Sequence, residues 1–321
     1  MQFPFAKPPI GIIFDCAMGR KIDDALALAM LHGFEARKEA RLAAVAISVP
    51  DVKAAQFCDS VNVFYSGANA AFTGGSRRGL PVGLADGPPP ATTSPMLTVP
   101  LVYRTEIKSA IDTAEVAIVI RNALSAQYDQ NAAVVLSGPA TDLAKALKLR
   151  DTRELIARKV KLLCVAAGQY PEGAPEPNIQ ADIAAARKVF AEWPTPVVAV
   201  GYDIGMALLF PAASIDRDFA WNANHPIAAA YRAYQPMPYD APSWAMAAML
   251  YAVRPKENYF NLSPPGTIQV SDDGRTSFAP SESGKHRYLV IGPDQHERII
   301  RTYTQLSSAK PVERKPKRPA A

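Results

Sequence analysis

From the N-terminus to about residue 210, short apolar, β-branched runs alternate with segments whose apolar positions recur at helical spacing. GIIFD (11–15) leads into DDALALAMLHGFEARK, and LAAVAIS (42–48) leads into DVKAAQFCDSVNVFY. AAVVLSG (132–138) leads into ATDLAKALKL, VKLLCVAAG (160–168) leads through a loop into ADIAAARKVFAEW, and PVVAVGYD (196–203) closes the series. Strand-helix alternation of this kind predicts an α/β fold, a mainly parallel sheet flanked by helices on both faces. The Gly- and Pro-rich run from Thr73 to Pro100 reads as one long loop, a lid or an insertion. Beyond residue 220 the pattern changes: helices are predicted over 224–234 and 243–253. A small C-terminal hairpin, TIQVSDDGRTSF, then turns at Asp273-Gly274, and HRYLVIG and a last helix near 294–306 follow.

Composition narrows the class. Of 321 residues, 49% are hydrophobic and 20% charged, which is globular composition with material for a sizeable core. The formal net charge of +5 is concentrated at the end of the chain. Lys310, Arg314, Lys315, Lys317 and Arg318 stand there against Glu313 alone. The expected organisation is therefore one α/β domain over 1–309 and a disordered, solvated basic tail over 310–321, with no nucleic-acid or membrane contact. Cys16, Cys58 and Cys164 lie far apart and lack metal-type spacing, so buried free thiols are expected. No segment has signal-peptide or membrane-span character, and the expectation is a soluble chain, cytoplasmic unless a leader has been trimmed.

In an open parallel sheet, ligands collect at the carboxyl ends of the strands. Asp15, Ser137-Gly138, Gly168 and Asp203 fall there. Asp23 and Asp24 open the first helix, where acids complement the helix dipole and cap free N–H groups. With Asp15 just upstream across a glycine turn, the same acids also make an economical start for a hard-cation site, and spacing leaves both readings open. His32, His225, His286 and His296 are scattered, with no partner at metal spacing, and read as structural or surface residues.

FDCAMGRKIDDALALAML (14–31) resembles the opening motif of the inosine-uridine preferring nucleoside hydrolases, an Asp-x-Asp-x-Gly turn ending in Asp-Asp before a helix. LSGPATDLAKAL (136–147) is similar to the family's Gly-Pro-Leu-Thr-Asn segment. Residues 166–205 are similar to its Glu-Phe-Asn segment with the following helix and strand, and SWAMAAMLYAVRP (243–255) to the helix that ordinarily begins with a metal-binding acid. The resemblance runs over about residues 11–305. It implies hydrolysis of the N-glycosidic bond of a ribonucleoside, with a Ca²⁺ that binds the ribose 2′ and 3′ hydroxyls and the attacking water, and an aspartate that acts as base. By the same resemblance Asp15, Asp24 and the carbonyl of Thr141 belong to the metal site, and Asp23, Glu176 and Asn178 bind the ribose. A homo-oligomer is also implied, with no interface assignable.

The match has gaps. The base and metal ligand expected two residues after Asp15 is Ala17; Lys21 replaces a further acid, with Arg20 beside it; Pro177 replaces an aromatic; and Ala245 stands at the metal-binding aspartate of the late helix. Asp240 is the nearest acid to that last position. Two readings follow: a nucleoside hydrolase-like enzyme with attenuated or altered activity, and a non-catalytic member that binds a ribose-containing or sugar ligand, with the Lys21 ammonium in the place of the cation.

Overall fold

A computed structural model describes residues 8–66, 80–103 and 105–311 of the chain. Its strands are β1 (Ile10–Cys16), β2 (Ala40–Ile47), β3 (Val82–Leu84), β4 (Ala114–Glu115), β5 (Ala132–Leu136), β6 (Val160–Ala166), β7 (Val197–Val200), β8 (Leu209–Phe210), β9 (Ala241–Pro242), β10 (Asn261–Leu262), β11 (Gly266–Val270), β12 (Thr276–Pro280) and β13 (His286–Val290). Its helices are α1 (Ile22–Ala36), α2 (Val52–Ser66), α3 (Val116–Ser125), α4 (Thr141–Ala146), α5 (Thr152–Lys159), α6 (Pro177–Ala181), α7 (Ile183–Glu192), α8 (Tyr202–Ala207), α9 (Ala212–Arg217), α10 (Pro226–Tyr234), α11 (Trp244–Val253) and α12 (His296–Ser307).

The main sheet runs β12-β11-β13-β7-β6-β5-β1-β2-β3-β4. Every pair from β13 to β4 is parallel, and the β11–β12 hairpin, with β10 against β13, supplies the antiparallel edge. β1 lies between β5 and β2, so its continuous apolar run is buried on both faces, as parallel strands require. Ile12, Phe14 and Cys16 enter one apolar layer and Ile13 the other, following the two-residue period of a strand. Helix α11 is buried from Ala245 to Ala252, because its sequence is apolar all round and it packs in the layer that also holds α1. The mainly parallel α/β fold and its small C-terminal hairpin are thus as the sequence predicts, and the three cysteines are buried free thiols.

The structure alters several boundaries. Within the expected loop from Thr73 to Pro100, residues 73–79 lie outside the described part. The remainder contains β3, paired with β2, and a 3₁₀ turn at Pro95–Leu97 that buries Met96 and Leu97. The segment ADIAAARKVFAEW does not form one helix: Asp182 ends α6 and its carboxylate caps α7 by accepting from the Ala185 N–H at 2.9 Å. PVVAVGYD stops being a strand at Val200, so Asp203 lies in the first turn of α8. In the expected tail, the Lys310 ammonium sits 5.9 Å from the centre of the Trp221 ring, while residues 312–321 lie outside the described part. No described helix is long and apolar enough to cross a membrane.

Candidate functional site

The turn after β1 is shaped by Gly19 at φ +103°, a left-handed conformation that a side chain would strain. A Cβ there would also come within 2.7 Å of Leu97. The Arg20 N–H closes the turn on the Ala17 carbonyl at 2.9 Å, and α1 starts at Ile22 with Asp23 and Asp24 in its first turn. At the same end of the sheet the Ser137 N–H donates to the Asp15 carbonyl at 2.8 Å, and the Ser137 hydroxyl donates to Asp24 Oδ1. β1, β5 and α1 therefore meet at one point, and three carboxyl groups are buried around it.

The three carboxyls are not equivalent. Asp15 is fully buried, and neither carboxylate oxygen has a hydrogen-bond partner among the described residues. Burial first, then the neighbouring Asp142 and Asp24 charges, pushes it well above the usual carboxylate range. Asp24 is raised to about 7 by burial and by Asp23, against the Ser137 hydrogen bond and the charges of Lys21 and Arg20, and its Oδ2 has no partner among the described residues. Asp23 is raised to about 6 by burial, against hydrogen bonds that hold its charged form. It accepts from the Ala245 N–H at 2.5 Å and from the Met246 N–H at 3.2 Å. Asp23 thus caps the N-terminus of α11 from more than two hundred positions away, with both oxygens accepting from that helix.

The remaining predicted residues are close by, and their side chains are committed to the fold. Asn178 donates to the Ser137 carbonyl at 3.2 Å and to the Ala166 carbonyl at 2.9 Å, tying the loop to the ends of β5 and β6. Glu176 Oε2 accepts from the N–H groups of Gly168, Asn178 and Ile179 at 3.2, 3.0 and 3.1 Å, so it caps α6. The Thr141 hydroxyl donates to Asp182 Oδ2 at 2.7 Å. Asp240 accepts from the Ala212 N–H at 2.8 Å at the start of α9 and is not recruited as a substitute acid. The Lys21 ammonium lies 4.7 Å from the centre of the Trp244 ring, so it sits over an aromatic face and acts on Asp23 and Asp24 as a neighbouring charge. Trp244 is held by its indole N–H on the Tyr202 carbonyl at 2.9 Å, and the Tyr234 hydroxyl donates to the Arg20 carbonyl at 3.1 Å.

Sequence reading placed Ser137 at a strand's carboxyl end but gave it no role in the site; its hydroxyl on Asp24 is seen only in the fold. It also missed Asp142, a buried carboxyl in the first turn of α4 that is raised to about 6, chiefly by burial, with Oδ2 unpartnered among the described residues.

Calcium takes six to eight oxygen ligands. Ala17 and Ala245 offer none from their side chains, Asp23 is occupied by two N–H groups, and the carboxylate oxygens without a partner among the described residues are those of Asp15, Asp24 Oδ2 and Asp142 Oδ2. Among the described residues no three His, Cys, Asp or Glu side chains gather where a metal ion would sit. This donor set does not fit a calcium ion.

Residues 12–290 match the family model described as inosine-uridine preferring nucleoside hydrolase. Among solved structures, an inosine-guanosine nucleoside hydrolase matches with a TM-score of 0.70 at 14% identity, over 92% of this chain and 98% of its own. A purine-preferring ribonucleoside hydrolase from Gardnerella vaginalis matches with a TM-score of 0.64 at 19% identity, over 93% and 98% of the two chains. The type III effector XopQ, solved in complex with adenosine diphosphate ribose, matches with a TM-score of 0.67 at 12% identity, over 94% of each chain. At such identities the likeness establishes the fold alone. No curated protein sequence matches the chain.

Proposed function

The chain belongs to the inosine-uridine preferring nucleoside hydrolase family, and from that premise we propose that it acts on the N-glycosidic bond of ribonucleosides with attenuated hydrolysis that does not depend on calcium. The observation that supports this is the pairing of Asp15 and Asp24 at the carboxyl end of β1, both buried and both with oxygens that lack a partner among the described residues. Ser137 fixes one oxygen of Asp24, which leaves Oδ2 to exchange a proton with water or a sugar hydroxyl. Asp23 and Asn178 hold the frame, and Lys21 sets its charge balance. Loss of the family's base at Ala17 is expected to lower the rate by about 10²–10⁴.

A second reading, a non-catalytic member that holds a ribose-containing or sugar ligand, is favoured by the engagement of Asp23 and Asn178 with backbone groups. One experiment separates the two. The purified protein is incubated with inosine and with uridine, with added Ca²⁺ or with a chelator, and free base is measured. Slow release that neither addition changes is the expected result. No release at high enzyme concentration would overturn hydrolysis, and calorimetry with inosine, ribose and ADP-ribose then tests binding alone.

A further inference from the structure

The opposite pole of the sheet carries a cleft that the family chemistry does not use. The end of α1, the start of β2 and the end of α2 enclose a cavity of about 440 Å³, a size that suits a small-molecule ligand. His32 and Tyr65 form its buried part, with ring centroids 4.6 Å apart and planes inclined by 14°. His32 Nδ1 meets Glu35 Oε2 at 2.9 Å, and Glu35 Oε1 accepts from the Leu42 N–H at 2.8 Å. Because a carboxylate only accepts, Nδ1 carries the proton, and in the neutral ring Nε2 is then an acceptor. Nε2 is buried and has no partner among the described residues.

The rim is basic. Lys38 and Arg41 are exposed and line the cavity. Arg41 gives one nitrogen to Gln127 Oε1 at 2.6 Å, and no described residue pairs with the Lys38 ammonium. Glu35 is the one acid among the lining residues, and Lys38 and Arg41 are the two bases, so the positive charges outnumber the negative. Lys38 is also placed at a cost. It occupies the residue after the cap of α1 at φ +60°, with its N–H on the Glu35 carbonyl and the following Glu39 N–H on the Phe34 carbonyl. That Schellman closure favours glycine, yet a lysine stands there and brings its ammonium to the mouth of the cleft.

We propose that this cleft binds a small oxyanion-bearing molecule, a phosphate monoester or a carboxylate, seated between Lys38 and Arg41 against the stacked His32 and Tyr65 rings. The test is an NMR titration of the His32 ring in the full-length protein, with inorganic phosphate in one arm and acetate in the other, on the wild type, Lys38→Gly and Arg41→Gln. Lys38→Gly relieves the left-handed residue, so it should fold with an equal or higher Tm. Saturable shifts of the His32 resonances that Lys38→Gly weakens about tenfold are expected. Stronger shifts in one arm assign the site to that oxyanion. The absence of saturable shifts in both arms would overturn the proposal, as would binding that neither substitution weakens.

Discussion

At the scale of the single residue, Asp23 separates position from role. Its place beside Asp24 in the first turn of α1 was readable, because acids ahead of an apolar helical run complement the helix dipole. Its partner was not readable, since the N–H groups of Ala245 and Met246 reach it only through the tertiary fold. The same is true of Asn178, whose amide is spent on the carbonyls of Ser137 and Ala166. A cap role and a ribose role make opposite predictions for Asp23→Ala. Loss of a buried cap leaves two N–H groups without an acceptor, and urea unfolding should show a destabilisation of about 2 kcal/mol. Asp23→Asn, which keeps one acceptor oxygen, should recover part of that loss. Unchanged stability with abolished inosine or ribose binding would instead return Asp23 to the sugar.

At the scale of elements, the alternation of strands and helices was legible because each strand that flanks β1 carries an uninterrupted apolar run. β3 was hidden because its three residues sit inside a Gly- and Pro-rich stretch and pair only with other strands. The break between α6 and α7 was hidden because Asp182 is an ordinary helix residue until its carboxylate turns to cap the next segment. The late helix fell where the resemblance implied: α11 presents Ala245 to the β1–α1 turn. That placement permits a reconstruction. Ala17→Asp with Ala245→Asp adds two carboxylates to Asp15 and Asp24 and raises the ligand charge on which Ca²⁺ affinity depends. A ligand that binds only the folded state raises Tm, so millimolar Ca²⁺ should raise the Tm of the double variant and leave that of the wild type unchanged. A wild-type Tm that rises with Ca²⁺ and falls on chelation would show that the present donor set binds the ion after all.

At the scale of the whole molecule, His225 joins segments that are remote in sequence. It is buried at the start of α10, its Nδ1 accepts from the Ile227 N–H at 3.3 Å, and its Nε2 lies 3.4 Å from the Tyr65 hydroxyl of α2. That hydroxyl reaches the Ser307 carbonyl of α12 at 3.2 Å. Phe64, Phe219 and Trp221 pack their rings around the imidazole. Burial lowers its pKa from 6.5 to about 3. Between those values the unfolded chain binds a proton that the folded chain refuses, so this group makes stability fall as pH falls. The buried carboxyls act in the other direction. Asp23 and Asp142 at about 6 and Asp24 at about 7 bind protons in the folded state first, so their contribution rises as pH falls from 7 towards 4. The wild-type profile mixes both slopes, and subtraction isolates one. His225→Gln keeps an acceptor for Ile227 and cannot be protonated, so relative to the wild type it should gain about 2 kcal/mol between pH 7 and pH 5 in urea unfolding. Parallel profiles would mean that His225 titrates as freely in the folded chain as in the unfolded one, and that α2, α10 and α12 are not closed around a neutral imidazole.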